Sequence, residues 1–182
     1  MPPDPRTDAD LVAAANAGDA DALGALYLRY RDWAASLAFR FTGDRDAALD
    51  VMQESFVYLF SKFPGFKLRA RLTTFLYPVI KNNALAARRK KRPEGIEPEA
   101  LEVFAAAGES PGGMPREALA AAVSRLPDAQ REVLLMRVVD EMSVTEIALA
   151  LGIPEGTVKS RMHHAVEAMR GDERLREYWE AG

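Results

Sequence analysis

The chain has 182 residues, 48% hydrophobic content and a formal net charge of -3, enough apolar material for one folded domain or two small ones. It contains no cysteine, which excludes disulfides, thiolate metal sites and any thiol switch within the chain. The opening MPPDPRTDAD has no cationic start followed by an apolar run, and no stretch reaches the ~18 apolar residues of a membrane span, so a cytoplasmic protein without membrane contact of its own is expected.

The nearly balanced total hides a strong asymmetry. Residues 62–92 carry 10 cations and no anion, whereas 93–114 carry 5 glutamates and no cation. Exposed charges are screened beyond ~8 Å at physiological salt. A basic surface in the middle of the chain is therefore compatible with an acidic whole.

Apolar residues recur at three and four along most of the chain, which predicts an all-α protein. A first helix is expected from Asp8 to about Ala17, stopped by Gly18. Asp19 can cap a second helix reaching Phe41, with Leu23, Leu26, Tyr27, Tyr30, Trp33, Leu37 and Phe41 on one side. After the break at Thr42-Gly43-Asp44, a third helix is expected from about Arg45 to Lys62, with Leu49, Met52, Phe56, Leu59 and Phe60 as its core stripe. Its other side carries Asp46, Asp50, Gln53 and Glu54. Such a carboxylate-rich face is either ordinary solvated surface or a docking surface. A fourth helix runs from about Thr73 into the basic cluster Arg88 to Arg92. If Thr73 or Thr74 caps it, Pro78 falls near the first turn, where its missing N–H does least harm.

From Pro93 to Pro115 the chain is rich in proline, glycine and glutamate, with only a short periodic piece from Leu101 to Ala107, and reads as a linker. Four more helices are expected after it: Arg116 to Leu126, Pro127 to Val139, Ser143 to Leu151 and Pro154 to Arg170. No internal repeat relates the two halves. Three segments follow: a helical domain at 1–92, an acidic linker at 93–115 and a second helical domain at 116–182.

The most informative stretch is EMSVTEIALALGIPEGTVKSRMHHAVEAMR. Ser143 and Glu146 have the S-x-x-E spacing of a capping box, Gly152 can take the left-handed conformation that ends a helix, and Pro154 suits the start of the next. Ile147, Ala148 and Leu151 can pack on Val158, Met162 and Ala165, giving a helix-turn-helix. On a wheel of 100° per residue the face opposite Val158, Met162, Ala165 and Met169 carries Gly156, Ser160, His163 and Glu167, flanked by Thr157, Lys159 and His164. Hydroxyls, cations and imidazoles near a helix N-terminus suit base edges and phosphates in a major groove. Adjacent histidines point about 100° apart, whereas a shared metal wants spacing of three or four, so His163 and His164 predict no metal site.

Taken together, the two halves resemble the extracytoplasmic-function (ECF) group of bacterial sigma factors of the sigma-seventy type. The phrases that carry the resemblance are LVAAANAGDADALGALYLRY, GDRDAALDVMQESF and LTTFLYPVIKNNALAARRKK in the first half, and LPDAQREVLLMRVVDEMSVTEIALALGIPEGTVKSRMHHAVEAMR in the second. The resemblance implies a region-two-like four-helix bundle and a region-four-like helix-turn-helix domain joined by a flexible acidic linker. It implies a subunit that binds core RNA polymerase and promoter DNA, is commonly held by an anti-sigma factor, and uses no cofactor. That agrees with the lack of a glycine-rich phosphate loop, of a paired nucleophile and base, and of metal-ligand spacing, none of which supports an enzyme.

Residue by residue, DVMQESF matches the family's polymerase-docking phrase at Asp50, Gln53, Glu54 and Phe56, which implies core support from Phe56 and polymerase contacts from the polar residues of that helix face, Asp46, Asp50, Gln53 and Glu54. The fourth helix and the loop before it are similar to the part that recognises the minus-ten element. This implies phosphate contacts from Lys62, Lys67, Arg69 and Arg71, stacking on a base by Phe66, base-edge contacts from Asn82 and Asn83, and phosphate or polymerase contacts from Arg88 and Arg89. An unstacked base of the melted strand is expected near residues 63–71. The helix-turn-helix is expected at the minus-thirty-five element through Thr157, Lys159, Ser160, Arg161, His163 and His164. In the family the linker threads the polymerase cleft, so Glu94, Glu97, Glu99, Glu102 and Glu109 are expected to mimic RNA until the transcript displaces them. Two departures stand out. Phe75-Leu76-Tyr77-Pro78 replaces the frequent Trp-Leu-Tyr-Arg, and His163-His164 stands where aromatic or arginine residues are common. The competing reading is a stand-alone helix-turn-helix regulator that binds a DNA site without polymerase.

Overall fold

The computed structural model describes residues 4–91, 116–173 and 175–176. The chain divides into two compact units, Met1–Pro98 and Glu99–Gly182. The described residues form helices and turns with no strand.

The first unit contains α1 (Asp8–Asn16), α2 (Ala20–Thr42), α3 (Arg45–Phe60) and α4 (Leu72–Lys91). Each of the first three begins at a short polar side chain that satisfies N–H groups the helix cannot. Thr7 and Asp10 make a reciprocal capping box on α1, Asp19 accepts from the N–H groups of Asp21 and Ala22 on α2, and Asp44 accepts from Ala47 N–H on α3. Gly43 at φ 65° closes α2 by donating its N–H to Phe39 O, a backbone angle that favours glycine. The long α2 packs against α1, α3 and α4. Leu11, Leu26, Leu37, Leu59, Leu72, Leu76 and Ile80 are fully enclosed between them.

Two expectations about the helices α3 and α4 need correction. Leu49 is 48% exposed, and the buried side of α3 runs through Ala47, Ala48, Val51, Met52, Ser55, Phe56 and Leu59. Small side chains at Ala47, Ala48 and Ser55 allow close helix approach, so the buried face turns toward them and away from the larger Leu49. Pro78 is also not near a first turn. The helix starts at Leu72, which makes Pro78 its seventh residue, and α4 continues through it as one element. Neither threonine caps α4: both are buried, and the Oγ1 atoms of Thr73 and Thr74 have no hydrogen-bond partner among the described residues. What holds this part of α4 is packing, with Leu76 and Tyr77 buried and the Tyr77 ring edge-on to Phe41 at 6.2 Å.

The second unit contains α5 (Arg116–Ser124), α6 (Asp128–Val138), α7 (Val144–Leu151) and α8 (Glu155–Arg170). Its core includes Ala120, Val123, Leu126, Leu134, Ala165, Met169 and Leu175. Arg131 on α6 ties the end of α5 to the following turn. Its Nε donates to Val123 O at 3.2 Å, and its Nη2 donates to Ser124 O at 2.6 Å and Leu126 O at 2.8 Å. Ser124 O belongs to the last turn of α5, whose carbonyls lack partners within the helix and where a cation also suits the helix dipole. The acidic stretch 93–114, with the five glutamates expected to mimic RNA, lies outside the described residues.

Candidate functional site

The sequence-level features of the helix-turn-helix appear as hydrogen bonds. Ser143 Oγ accepts from Glu146 N–H at 3.2 Å while Ser143 N–H donates to Glu146 Oε2 at 2.8 Å. Gly152 takes φ 65° and donates its N–H to Ala148 O. A further clasp comes from Thr145 Oγ1, which donates to Glu155 Oε1 at 2.7 Å and joins the first turns of α7 and α8. Ile147, Ala150, Val158 and Ala165 are buried, while Ala148, Leu151 and Met162 are half-buried. On α8, Gly156, Lys159, Ser160, His163, His164 and Glu167 face solvent, and Thr157 and Arg161 are half-buried. The two imidazole rings stand edge to face at 5.7 Å. The cap residue of α8 is Pro154, whose side chain offers no acceptor.

In the first unit, Asp46, Asp50, Gln53 and Glu54 are all exposed along α3. The structure adds Leu49, 67% exposed Val57 and 44% exposed Tyr58 to the same side. At 100° per residue, Gln53, Asp46, Val57 and Asp50 fall within about 60° of one another. An acidic face with apolar side chains set into it fits a protein partner better than a purely solvated surface. The signal is present in the sequence, because Leu49 and Val57 interleave with the acids at helical spacing, but the size of Leu49 suggests core.

The loop between α3 and α4 exposes Lys67, Arg69 and Arg71. Lys62 lies with its Nζ 4.1 Å from the centroid of the Tyr58 ring, a cation–π position. Phe66 corrects the stacking expectation: it is only 8% exposed, with its ring 5.2 Å from Phe63 and 4.9 Å from Phe75. An aromatic side chain in a segment without regular structure is stabilised by joining the neighbouring core. Phe66 therefore seats the loop and does not offer a stacking surface.

The two asparagines separate as well. Asn82 is exposed, whereas half-buried Asn83 donates from Nδ2 to Ser55 Oγ at 3.2 Å, and Ser55 Oγ donates to Val51 O at 2.7 Å. Asn83 thus links α4 to α3. A shallow groove of about 390 Å³ lies between these helices, lined by Glu54, Tyr58, Pro78, Val79, Asn82 and Asn83. Further along α4, Arg88 is half-buried, and exposed Arg89 donates from Nε to Leu85 O at 3.3 Å.

A cationic loop lies beside an acidic, partly apolar helix face, and a helix-turn-helix occupies a separate unit of this two-unit helical protein. Residues 26–94 match the Sigma-70 region 2 family and residues 116–169 the Sigma-70, region 4 family. The chain is 30% identical over 168 residues to the ECF RNA polymerase sigma factor SigW of Bacillus subtilis (strain 168), covering 84% of this chain and 89% of that protein. It belongs to the ECF RNA polymerase sigma factors of the Sigma-70 type. Two solved structures share the fold. One is CnrH in complex with the cytosolic domain of CnrY, with a TM-score of 0.66, 23% identity and coverage of 89% of this chain and 94% of that one. The other is the sigma factor RpoE in complex with the anti-sigma factor NepR from Bartonella quintana, with a TM-score of 0.58, 21% identity and coverage of 82% and 94%. Membership of this family decides against the stand-alone regulator. Among the described residues, no helix is long and apolar enough to cross a membrane.

Proposed function

We propose that this sigma factor divides its work by surface, with 1–92 engaging polymerase and the minus-ten element, 93–115 linking, and 116–182 engaging the minus-thirty-five element. The observation that carries this reading is the segregation within the first unit. The α3 face is acidic and partly apolar, while the loop leading into α4 is cationic and closed underneath by Phe66. A surface of the first kind suits a protein, and one of the second suits phosphates.

Asp46, Asp50, Gln53 and Glu54, with Leu49 and Val57, dock on core polymerase. Lys67, Arg69 and Arg71 hold the backbone of the melted strand, supported by Lys62, and Asn82 reads a base edge. Arg88 and Arg89 extend the phosphate contacts along α4. In the second unit Ser160, His163, His164 and Lys159 face the major groove, with Thr157 and Arg161 beside them. The protein contributes binding energy to promoter opening and performs no catalysis itself. By analogy with the complex of its structural neighbour, an anti-sigma factor holds it inactive by covering these surfaces.

The test is run-off transcription with core polymerase and genomic promoter fragments. Added protein is expected to produce new transcripts while binding the same DNA weakly on its own. No new transcripts together with tight binding of one site by the chain alone would overturn the proposal. Replacing Lys67, Arg69 and Arg71 together by alanine should slow opening at least ~10-fold and flatten the log–log salt dependence by about 2, since single-stranded contacts contribute roughly 0.7 each. A salt slope equal to that of the parent would remove these residues from the DNA contact.

A further inference from the structure

The loop that carries Lys67, Arg69 and Arg71 is held from below by one side chain 50 residues away in sequence. Asn16, the last residue of α1, accepts on Oδ1 from the N–H of Gly65 at 2.6 Å and of Phe66 at 3.0 Å, and donates from Nδ2 to Phe66 O at 2.9 Å. It pairs with both backbone groups of Phe66, much as a neighbouring strand would. The residue immediately after this clamp is Lys67.

The other end of α1 is itself anchored. Asp8 receives Arg29 Nη1 at 2.5 Å and the hydroxyl of Tyr30. Arg29 Nη2 also donates to Asp4 O at 2.9 Å and Arg6 O at 2.6 Å. With Leu11, Val12 and Ala15 buried along it, α1 is a fixed post between this network and Asn16. The loop is thus gripped twice, by the Phe66 ring in the core and by Asn16 on its backbone. The ring alone leaves the chain free to swivel about it, whereas the amide fixes the direction in which residues 67–71 leave.

We propose that Asn16 is a positioning residue for promoter opening, holding the cationic loop in the orientation that the melted strand requires. This rests on the reading that the loop contacts DNA. Only a carboxamide presents an acceptor and a donor together at this length. Aspartate keeps the acceptor for the two N–H groups but turns an oxygen toward Phe66 O, and alanine leaves all three backbone groups to solvent. The site is half-exposed, so water can replace the lost bonds and folding suffers little. Loop direction is what changes.

The experiment uses the full chain with core polymerase and promoter DNA carrying 2-aminopurine in the minus-ten element, whose fluorescence reports unstacking. Asn16→Ala is expected to keep its affinity for core polymerase within about twofold, lower Tm by only about 5 °C, and slow opening about tenfold at saturating polymerase. Asn16→Asp should slow it about threefold. On the Lys67→Ala, Arg69→Ala, Arg71→Ala background, Asn16→Ala should cost less than twofold more, because there is then no cation to position. Opening at the parent rate by Asn16→Ala, or an undiminished effect in the loop background, would overturn the inference. If Asn16→Ala fails to fold, the same comparison with Asn16→Asp decides. A parent-like opening rate for the triple loop variant alone would overturn the DNA-contact reading and the inference with it, whereas a slow triple variant with a parent-like Asn16→Ala would overturn the inference only.

Discussion

Replacing Asp50 and Glu54 together by arginine is expected to weaken binding to core polymerase by about 100-fold while leaving the fold intact. Both side chains are exposed on α3, and neither belongs to its buried face through Val51, Met52, Ser55, Phe56 and Leu59. Thermal unfolding should therefore move by no more than about 3 °C, since substitutions away from the core and caps usually cost within ~0.5 kcal/mol. At an interface the same changes act differently. Losing one desolvated charge contact costs roughly 2–5 kcal/mol at the buried end of the range and much less at the rim. Two reversals at a partly exposed face give about 3 kcal/mol, which corresponds to about 100-fold. A titration of labelled polymerase with each protein measures this directly. An affinity within threefold of the parent would show that the acidic face is only solvated surface.

The second large effect concerns stability. Arg131→Ala is expected to destabilise the helix-turn-helix unit by about 3 kcal/mol, because hydrogen bonds to a charged group contribute ~1.5–3 kcal/mol each and sharing one guanidinium reduces their sum. The side chain is 18% exposed and donates to three carbonyls where α5 meets α6. Its ion pair with Asp128 at 3.3 Å adds little, since Asp128 is 90% exposed. For a unit of this size 3 kcal/mol lowers Tm by about 15 °C. Arg131→Lys should recover less than half of the loss, because an ammonium cannot span three carbonyls as a planar guanidinium does. Chemical denaturation followed in the second unit checks both. A loss below 1 kcal/mol for the alanine variant would assign the junction to apolar packing around Val123 and Leu126.

Much of this architecture was legible because local chemistry and periodicity agreed. Ser143 with Glu146, Gly152, Asp19 and Thr42-Gly43-Asp44 each place a helix boundary through a side chain or a backbone angle, and the structure uses them. Reading failed where a residue's role depends on distant neighbours. Leu49 looks like core by type, but small residues on the adjoining side of α3 let that side pack instead. Phe66 looks available in a loop until Phe63 and Phe75 are seen around it. Asn83 resembles Asn82 in sequence, yet Ser55, 28 residues earlier, claims one of its donors. Nothing near Asn16 announces that it bonds to residues 65 and 66. Thr73 and Thr74 precede the proline at a spacing that suits a cap, but the helix begins before them and buries both.

On the proposed division of surfaces, the first unit presents a protein-binding face on α3 and a DNA-binding loop before α4. Site-specific photo-crosslinking in an assembled open complex tests it most directly, with a benzophenone side chain introduced at Gln53 in one protein and at Lys67 in another. Position 53 should crosslink to a polymerase subunit and not to DNA, and position 67 to the non-template strand at the minus-ten element. Crosslinks from position 53 to DNA, or from position 67 to polymerase alone, would contradict the account.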